Sequence, residues 1–245
     1  MNTPRLLAVV LHYGDTAMTR AVYEALACKA APHEALVLDN AAPQPYPGAL
    51  RLPENVFWGG ALAYSLNLAR ERGADYLWFC NNDITFLQPH TGAALLPFVA
   101  GRLARIGKQC GKLVGVWAPA LTSSPYHPQM RHAQGVDYRR TAYVDGVAFA
   151  LNLACVDAIG GPDVGENPRG YGVDVWLSLR AHAAGWPVVA DQQVVIRHRH
   201  HSTAKQIDGF MDAAARDEDA YMTARLGRDW RASVQEQSGV WEDVG

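Results

Sequence analysis

Over residues 6–85, apolar runs alternate with amphipathic stretches, and polar side chains gather where the apolar runs stop. Residues 6–11 form an unbroken apolar run, which predicts a strand buried on both faces in a parallel sheet. Asp15 or Thr16 can cap a helix expected to run to about Cys28. Residues 35–38 predict a second strand ending at Asp39-Asn40, and the prolines between Ala41 and Pro47 predict a loop. Residues 49–52 read as a short third strand. A helix is expected from about Ala61 to Glu71, after the pair Gly59-Gly60, with Leu62, Leu66 and Ala69 on one face. Residues 76–80, with Tyr76, Trp78 and Phe79 among them, predict the next strand, and Asn81-Asn82-Asp83 follow at once. Right-handed β/α winding brings the carboxyl ends of such strands to one edge of the sheet. His12-Tyr13, Asp39-Asn40 and Asn81-Asn82-Asp83 are therefore expected to converge where open α/β sheets bind ligands.

The second half is less regular. A helix is expected over about residues 92–106 and a strand over 113–117, followed by loops rich in Pro, Ser and His. Residues 136–138 and 142–144 alternate as an antiparallel pair would, residues 146–151 read as a buried strand, and 153–159 as a short helix closed by Gly160-Gly161. A further helix over 173–184, two short strands at 188–190 and 194–196, and a polar helix over 207–226 complete the prediction. No repeat and no linker divides the chain. The reading is one α/β domain over residues 1–245, with a nucleotide-sugar-binding half (1–115), an acceptor and catalytic half (116–205) and a helical tail (206–245).

Composition narrows the function classes. At 245 residues, 49% hydrophobic and 19% charged, the chain is ordinary globular material that can bury a large core. A formal net charge of −2 gives no overall attraction for nucleic acid, and no nucleic-acid motif occurs. Cys28, Cys80, Cys110 and Cys155 are widely spaced, and three of them sit in apolar surroundings, which favours free thiols in a reducing compartment. The first apolar run is too short for a secretory leader and no run is long enough to span a bilayer, so a cytoplasmic location is expected, with peripheral association at the inner face of a membrane left open. The sequence carries no code for oligomeric state.

Candidate chemistry lies at the strand ends. A carboxylate at Asp83 flanked by amides suits a hydrated divalent cation (Mg2+ or Mn2+) holding a diphosphate; an Asx-rich turn is the plainer alternative. Asp39 can accept a hydrogen bond from the imide N–H of uracil or thymine. Asp174, opening a helix after Gly170-Tyr171-Gly172, can serve as a general base or simply as a helix cap. If the chain is extended at His198-Arg199-His200-His201, His198 and His200 share a face, and either can join Asp83 on a metal, His198 first. The strings G-x-x-x-x-G-K-[ST] and G-x-S-x-G are absent, so P-loop and α/β-hydrolase chemistry lack their signatures.

Taken in order, these segments resemble the family-2 glycosyltransferases of GT-A fold, the rhamnosyltransferase-like branch in particular, over roughly residues 5–205. The likeness rests on Val9-Val10-Leu11-His12-Tyr13, Val37-Leu38-Asp39-Asn40, the stretch from Asn55 to Gly60, and Asn81-Asn82-Asp83 at the position of the D-x-D motif. It continues through Gly160-Gly161-Pro162-Asp163, Gly172-Val173-Asp174, Leu177-Ser178-Leu179-Arg180, and Ile196-Arg197-His198 with Ser202. The resemblance implies a Rossmann-like nucleotide-diphospho-sugar transferase fold, with a mainly parallel mixed sheet flanked by helices. It implies a UDP- or dTDP-sugar donor, dTDP-rhamnose in this branch, held by His12, Tyr13, Asp39, Asn40, Asn55, Gly59, Gly60, Asn81 and Asn82. Asp83 with His198 or His200 would hold the metal, and Asp174 would be the base of an inverting transfer to a glycan or lipid-linked saccharide, with Asp163 and Glu166 as alternatives. A nucleotide-sugar-binding or partner-binding protein of the same fold that has lost its base is the competing expectation. A sugar-phosphate nucleotidyltransferase would need an Arg- or Lys-bearing glycine loop where His12-Tyr13-Gly14-Asp15 stands.

Overall fold

The computed structural model describes residues 3–27, 31–87, 94–165, 167–199 and 207–245. The expected front half forms as predicted. Strand β1 (Leu6–His12) is buried along its whole length, and Asp15 caps α1 (Thr16–Leu26) by accepting the Ala17 N–H at 2.7 Å. Strands β2 (Glu34–Asp39) and β3 (Leu50–Arg51) add in parallel on one side of β1, and β4 (Tyr76–Asn81) adds in parallel on the other. Their carboxyl ends share one edge.

Helix α2 (Phe57–Glu71) starts four residues before the expected Ala61. The glycine pair was expected in a loop, but it lies in the helix's first turn because the backbone is crowded there. A Cβ on Gly59 would sit 2.7 Å from Val164 Cγ1, and one on Gly60 would sit 2.8 Å from Val56 Cβ. Phe57 takes a positive φ of 55°, held by Asn55, which accepts its N–H at 2.8 Å, and by Asn40, which donates to its carbonyl at 3.2 Å.

The back half departs further from the expectations. After β5 (Ile84–Phe86) and α3 (Leu95–Cys110), β6 covers Val116–Leu121 instead of 113–117. It runs through Pro119, where the missing N–H falls at a register shift against the neighbouring strand. The hairpin expected between 136–138 and 142–144 does not form. Strand β7 (Tyr138–Thr141) instead pairs with β9 (Val188–His198) and with β10 (Trp241–Val244). The two short strands expected at 188–190 and 194–196 are one, β9. The polar interruption is accommodated because Asp191, fully buried, accepts two hydrogen bonds from Arg102 of α3 (2.9 and 2.7 Å) and one from Trp117 Nε1 at 3.0 Å.

Strand β8 (Ala148–Asn152) runs antiparallel between β4 and β6, and α4 (Leu153–Ala158) and α5 (Val173–Ala183) follow it. The chain closes with α6 (Phe210–Leu226), α7 (Trp230–Ser238) and β10; neither α7 nor β10 was anticipated. One mixed sheet results, in the order β10-β7-β9-β6-β8-β4-β1-β2-β3, with β5 paired to β9. Its centre is packed by Trp78 against Trp117, edge to face at 5.4 Å. Among the described residues, no helix is long and apolar enough to cross a membrane.

Candidate active site

A cavity of about 490 Å³ opens at the edge where β1 and β4 end, roofed by α6 and by the loop before α5. Asn81, Asn82, Asp83, Asp174 and His198 all line it. The first three get there because β4 is buried up to Cys80 and must turn at its end. Two of them also do structural work. Asn81 accepts the Trp58 Nε1–H at 3.0 Å, and Asn82 donates to Thr19 Oγ1 at 3.0 Å and to the Tyr13 carbonyl at 3.4 Å. Asp83 faces His198, carried in by β9, with Oδ1 3.3 Å from Nε2. Burial alone would lower the His198 pKa, but the hydrogen bond and charge of Asp83, together with the charge of Asp145, raise it above its ordinary value.

That pair fits a divalent cation in chemistry and in spacing. A carboxylate oxygen and an imidazole nitrogen are both accepted ligands, and adjacent ligands about 2.1 Å from a six-coordinate ion lie about 3 Å apart. Among the described residues, no group of three or more His, Cys, Asp or Glu side chains gathers around a common point, and phosphate oxygens and water could complete a coordination shell around the Asp83–His198 pair. His200 and Glu166 lie outside the described residues.

Asp174 stands in the first turn of α5, behind Gly172, which holds the left-handed conformation (φ 79°) at the helix start. The side chain does not cap the helix in the usual way. Its Oδ2 accepts the Gly146 N–H at 2.7 Å from the β7–β8 connection. Burial chiefly, and then the charge of Asp145, push its pKa up to about 6, against the lowering effects of His127 and the N–H groups of Gly146 and Val175. A carboxylate tuned this way is ionised at neutral pH yet basic enough to take a proton from a hydroxyl in the transition state.

The contact with Gly146 leaves no room for a side chain: a Cβ there would lie 2.8 Å from Asp174 Cβ and 3.0 Å from Trp58 Cζ2. Gly146→Ala is therefore expected to displace the Asp174 carboxyl. Its kcat should fall by about 10-fold or more, since small misplacements of reacting groups cost that much, and the overpacking should lower the denaturation midpoint by the equivalent of about 1–3 kcal/mol; steady-state kinetics and urea melts check both.

The remaining expected donor residues sit elsewhere. Tyr13 lines the cavity, but His12, Asp39, Asn40, Asn55, Gly59 and Gly60 do not. His12 is fully buried and bonds Thr19 Oγ1 at 2.7 Å and the Gln44 carbonyl at 2.8 Å. Asp39, expected to offer its carboxylate to a base, has both oxygens engaged: Oδ1 by the Ala42 N–H at 2.8 Å, Oδ2 by the Tyr46 N–H at 3.0 Å and Arg51 at 2.8 Å. Burial opposes its ionisation, but those donors prevail and hold the carboxyl below its ordinary value. Asn40 and Asn55 bond each other at 2.9 Å and shape the turn into α2. Asp163 is bound by both arms of Arg225 at 2.9 Å and by Trp176 Nε1 at 3.0 Å, off the cavity, where it anchors α6. Arg180 holds the Ile159 and Gly161 carbonyls at 2.6 Å each.

The cavity also holds residues that the sequence did not single out, including Trp58, Tyr126, His127, Asp145, Tyr171 and Glu218. Glu218 reaches it from α6, and burial followed by the charge of Asp174 raises its pKa. The only local signal was Asp145-Gly146 at a strand start, and nothing in it pointed to Asp174.

Comparison with known proteins gives the architecture. No family model matches the chain. An uncharacterized protein of Mycobacterium tuberculosis, Rv1525, is 28% identical over 203 residues, covering 81% of this chain and 76% of the relative; Mb1552 of Mycobacterium bovis matches to the same extent. Among solved structures, GalNAc-T7 with UDP, GalNAc and Mn2+ superposes with a TM-score of 0.60 at 11% identity, covering 98% of this chain; the chain spans about half (52%) of that one. Glucosyl-3-phosphoglycerate synthase from Mycobacterium tuberculosis, with Mg2+ and UDP, gives a TM-score of 0.57 at 16% identity, covering 91% of this chain and 80% of that one. The chain has the GT-A fold of nucleotide-sugar glycosyltransferases.

Proposed function

We propose that this protein is a glycosyltransferase that moves a sugar from a uridine or deoxythymidine diphosphate sugar to a hydroxyl acceptor with inversion at the anomeric carbon. One observation carries the reading: the Asp83–His198 pair and the raised-pKa carboxyl of Asp174 open into the same cavity. Asp174 takes the proton of the acceptor hydroxyl as its oxygen bonds the anomeric carbon. The anomeric C–O bond to the diphosphate breaks, and its electron pair leaves with the phosphate. A single displacement of this kind inverts the centre. Asp83 and His198 would hold Mg2+ or Mn2+, which when bound supplies Lewis-acid neutralisation of the leaving diphosphate. Trp58, held by Asn81, walls the site against water.

Solved neighbours of this fold contain UDP with Mn2+ or Mg2+, which favours uridine in the donor. The base would lie against the loop that Asp39 organises and meet backbone groups, since the Asp39 carboxylate is already engaged. Rhamnose as the sugar, and a glycan or lipid-linked saccharide of a polysaccharide pathway as the acceptor, rest on the sequence resemblance, as does action in the cytoplasm or at the inner face of its membrane. A panel of UDP- and dTDP-sugars with Mn2+ or Mg2+, read by nucleotide release and by the product's anomeric coupling in proton NMR, tests the proposal. Metal-dependent release and an inverted linkage are expected. Donor binding without transfer to any acceptor would leave the chain a binding protein.

A further inference from the structure

Among the described residues around Asp174, carboxyl groups outnumber the cations that could balance them. Asp145, Asp174 and Glu218 line the cavity together, brought by the β7–β8 connection, α5 and α6. Arg169 is the one arginine among the described lining residues, and it is already committed. It ion-pairs with Asp217 and lies over the rings of Phe57 at 5.2 Å and Phe210 at 5.7 Å. His198 faces Asp83, which leaves the imidazole of His127, 4.0 Å from Asp145. No described lining residue is a lysine.

Aromatic faces complete this side of the cavity. Tyr126, 60% exposed, stands at the rim beside His127, and Tyr171 lines the same cavity. Flat rings next to carboxyl acceptors are what an uncharged sugar needs: its C–H face lies on the ring while its hydroxyls donate to the carboxyls. An anionic acceptor meets the opposite situation. Each phosphate or carboxylate brought here faces like charge, or must carry protons in with it.

We propose that the acceptor is an uncharged saccharide, seated with a ring face on Tyr126 and its hydroxyls on Asp145 and Glu218, and that phosphorylated and carboxylated acceptors are rejected. This rests on the glycosyltransferase reading and adds the acceptor class to it. Asp145, Glu218 and Tyr126 thereby become specificity residues for the reacting hydroxyl that Asp174 deprotonates.

The test uses the full chain with matched acceptors: neutral methyl glycosides and disaccharides, their 6-phosphates, and the corresponding uronates. Neutral forms are expected to exceed their charged counterparts by about 30-fold or more in kcat/KM, a like-charge penalty of ordinary size. Glu218→Gln, nearly isosteric, should shrink that ratio by about 10-fold, and Glu218→Lys should shrink it further. Tyr126→Ala should raise KM for neutral saccharides by about 10-fold while kcat changes by less than about twofold, because the ring contributes binding to ground and transition state alike. Equal use of charged and neutral acceptors would overturn the proposal, as would donor hydrolysis with no transfer to any saccharide. Ligand-observed NMR of neutral saccharides separates the two readings. Saccharide binding that is lost in Tyr126→Ala, in a protein that neither binds nor cleaves a donor, would sink the transferase reading alone. No saccharide binding at all would sink this one.

Discussion

Asp174→Asn is expected to lower kcat by about 10²–10⁴-fold, the usual contribution of a positioned base, while making the protein more resistant to unfolding at neutral and alkaline pH. Both effects come from the same burial. The carboxyl's folded pKa is about 6 against 3.8 for the unfolded chain, so the folded state holds the proton more tightly and wild-type stability falls as pH rises between those values. The full gap sets an upper bound of about 3 kcal/mol on that effect. The amide carries no charge to desolvate and can still accept the Gly146 N–H. The variant should therefore melt higher than wild type at pH 8, and the advantage should vanish below about pH 4. Wild-type kcat should fall tenfold per pH unit below about 6, as protonation removes the base. Urea melts at both pH values and a pH–rate profile measure this. An active Asp174→Asn enzyme, or one destabilised at pH 8, would remove Asp174 from the base's place.

Asp83→Ala should cost about 10³-fold in kcat/KM, the equivalent of several kcal/mol of charge stabilisation on the leaving diphosphate. A readout independent of turnover is available. Mn2+ with UDP should raise the melting temperature of wild type and leave Asp83→Ala unmoved. His198 sharpens the expectation, because its pKa is raised when it faces Asp83 without a metal. A cation and the imidazole proton compete for the same pair, so Mn2+ affinity should weaken as pH falls through that raised pKa. An Asp83→Ala protein that keeps both its Mn2+ shift and its turnover would move the metal elsewhere.

Both predictions draw on residues legible in the sequence, and the reason they were legible is local. A strand buried on both faces disfavours a polar residue before its end unless a partner compensates it, so Asn81-Asn82-Asp83 after the apolar run of β4 were expected at the sheet edge. The same logic placed His12 and Asp39 at strand ends, and there it stopped being informative. Whether a strand-end carboxylate faces a ligand or its own loop depends on donors several residues away, here Ala42, Tyr46 and Arg51. Periodicity could not choose a partner for β7 or join β9 across Asp191, because pairing and the compensation of a buried charge by Arg102 are long-range events.

By itself, then, the sequence determined the parallel front half, the edge on which its polar groups emerge, and the candidacy of Asp83, since each follows from backbone rules acting over a few residues, while His198 and Asp174 were candidates through their resemblance to family motifs. Only the tertiary structure decided the wall we propose for the acceptor. Asp145, Glu218 and Tyr126 come from two loops and a tail helix with no shared spacing, and Asp174 acquires its basicity from burial and from the charge of Asp145, 29 positions away along the chain. Charge desolvation and close approach, as at Gly146, are properties of neighbours in space, which no stretch of chain carries alone.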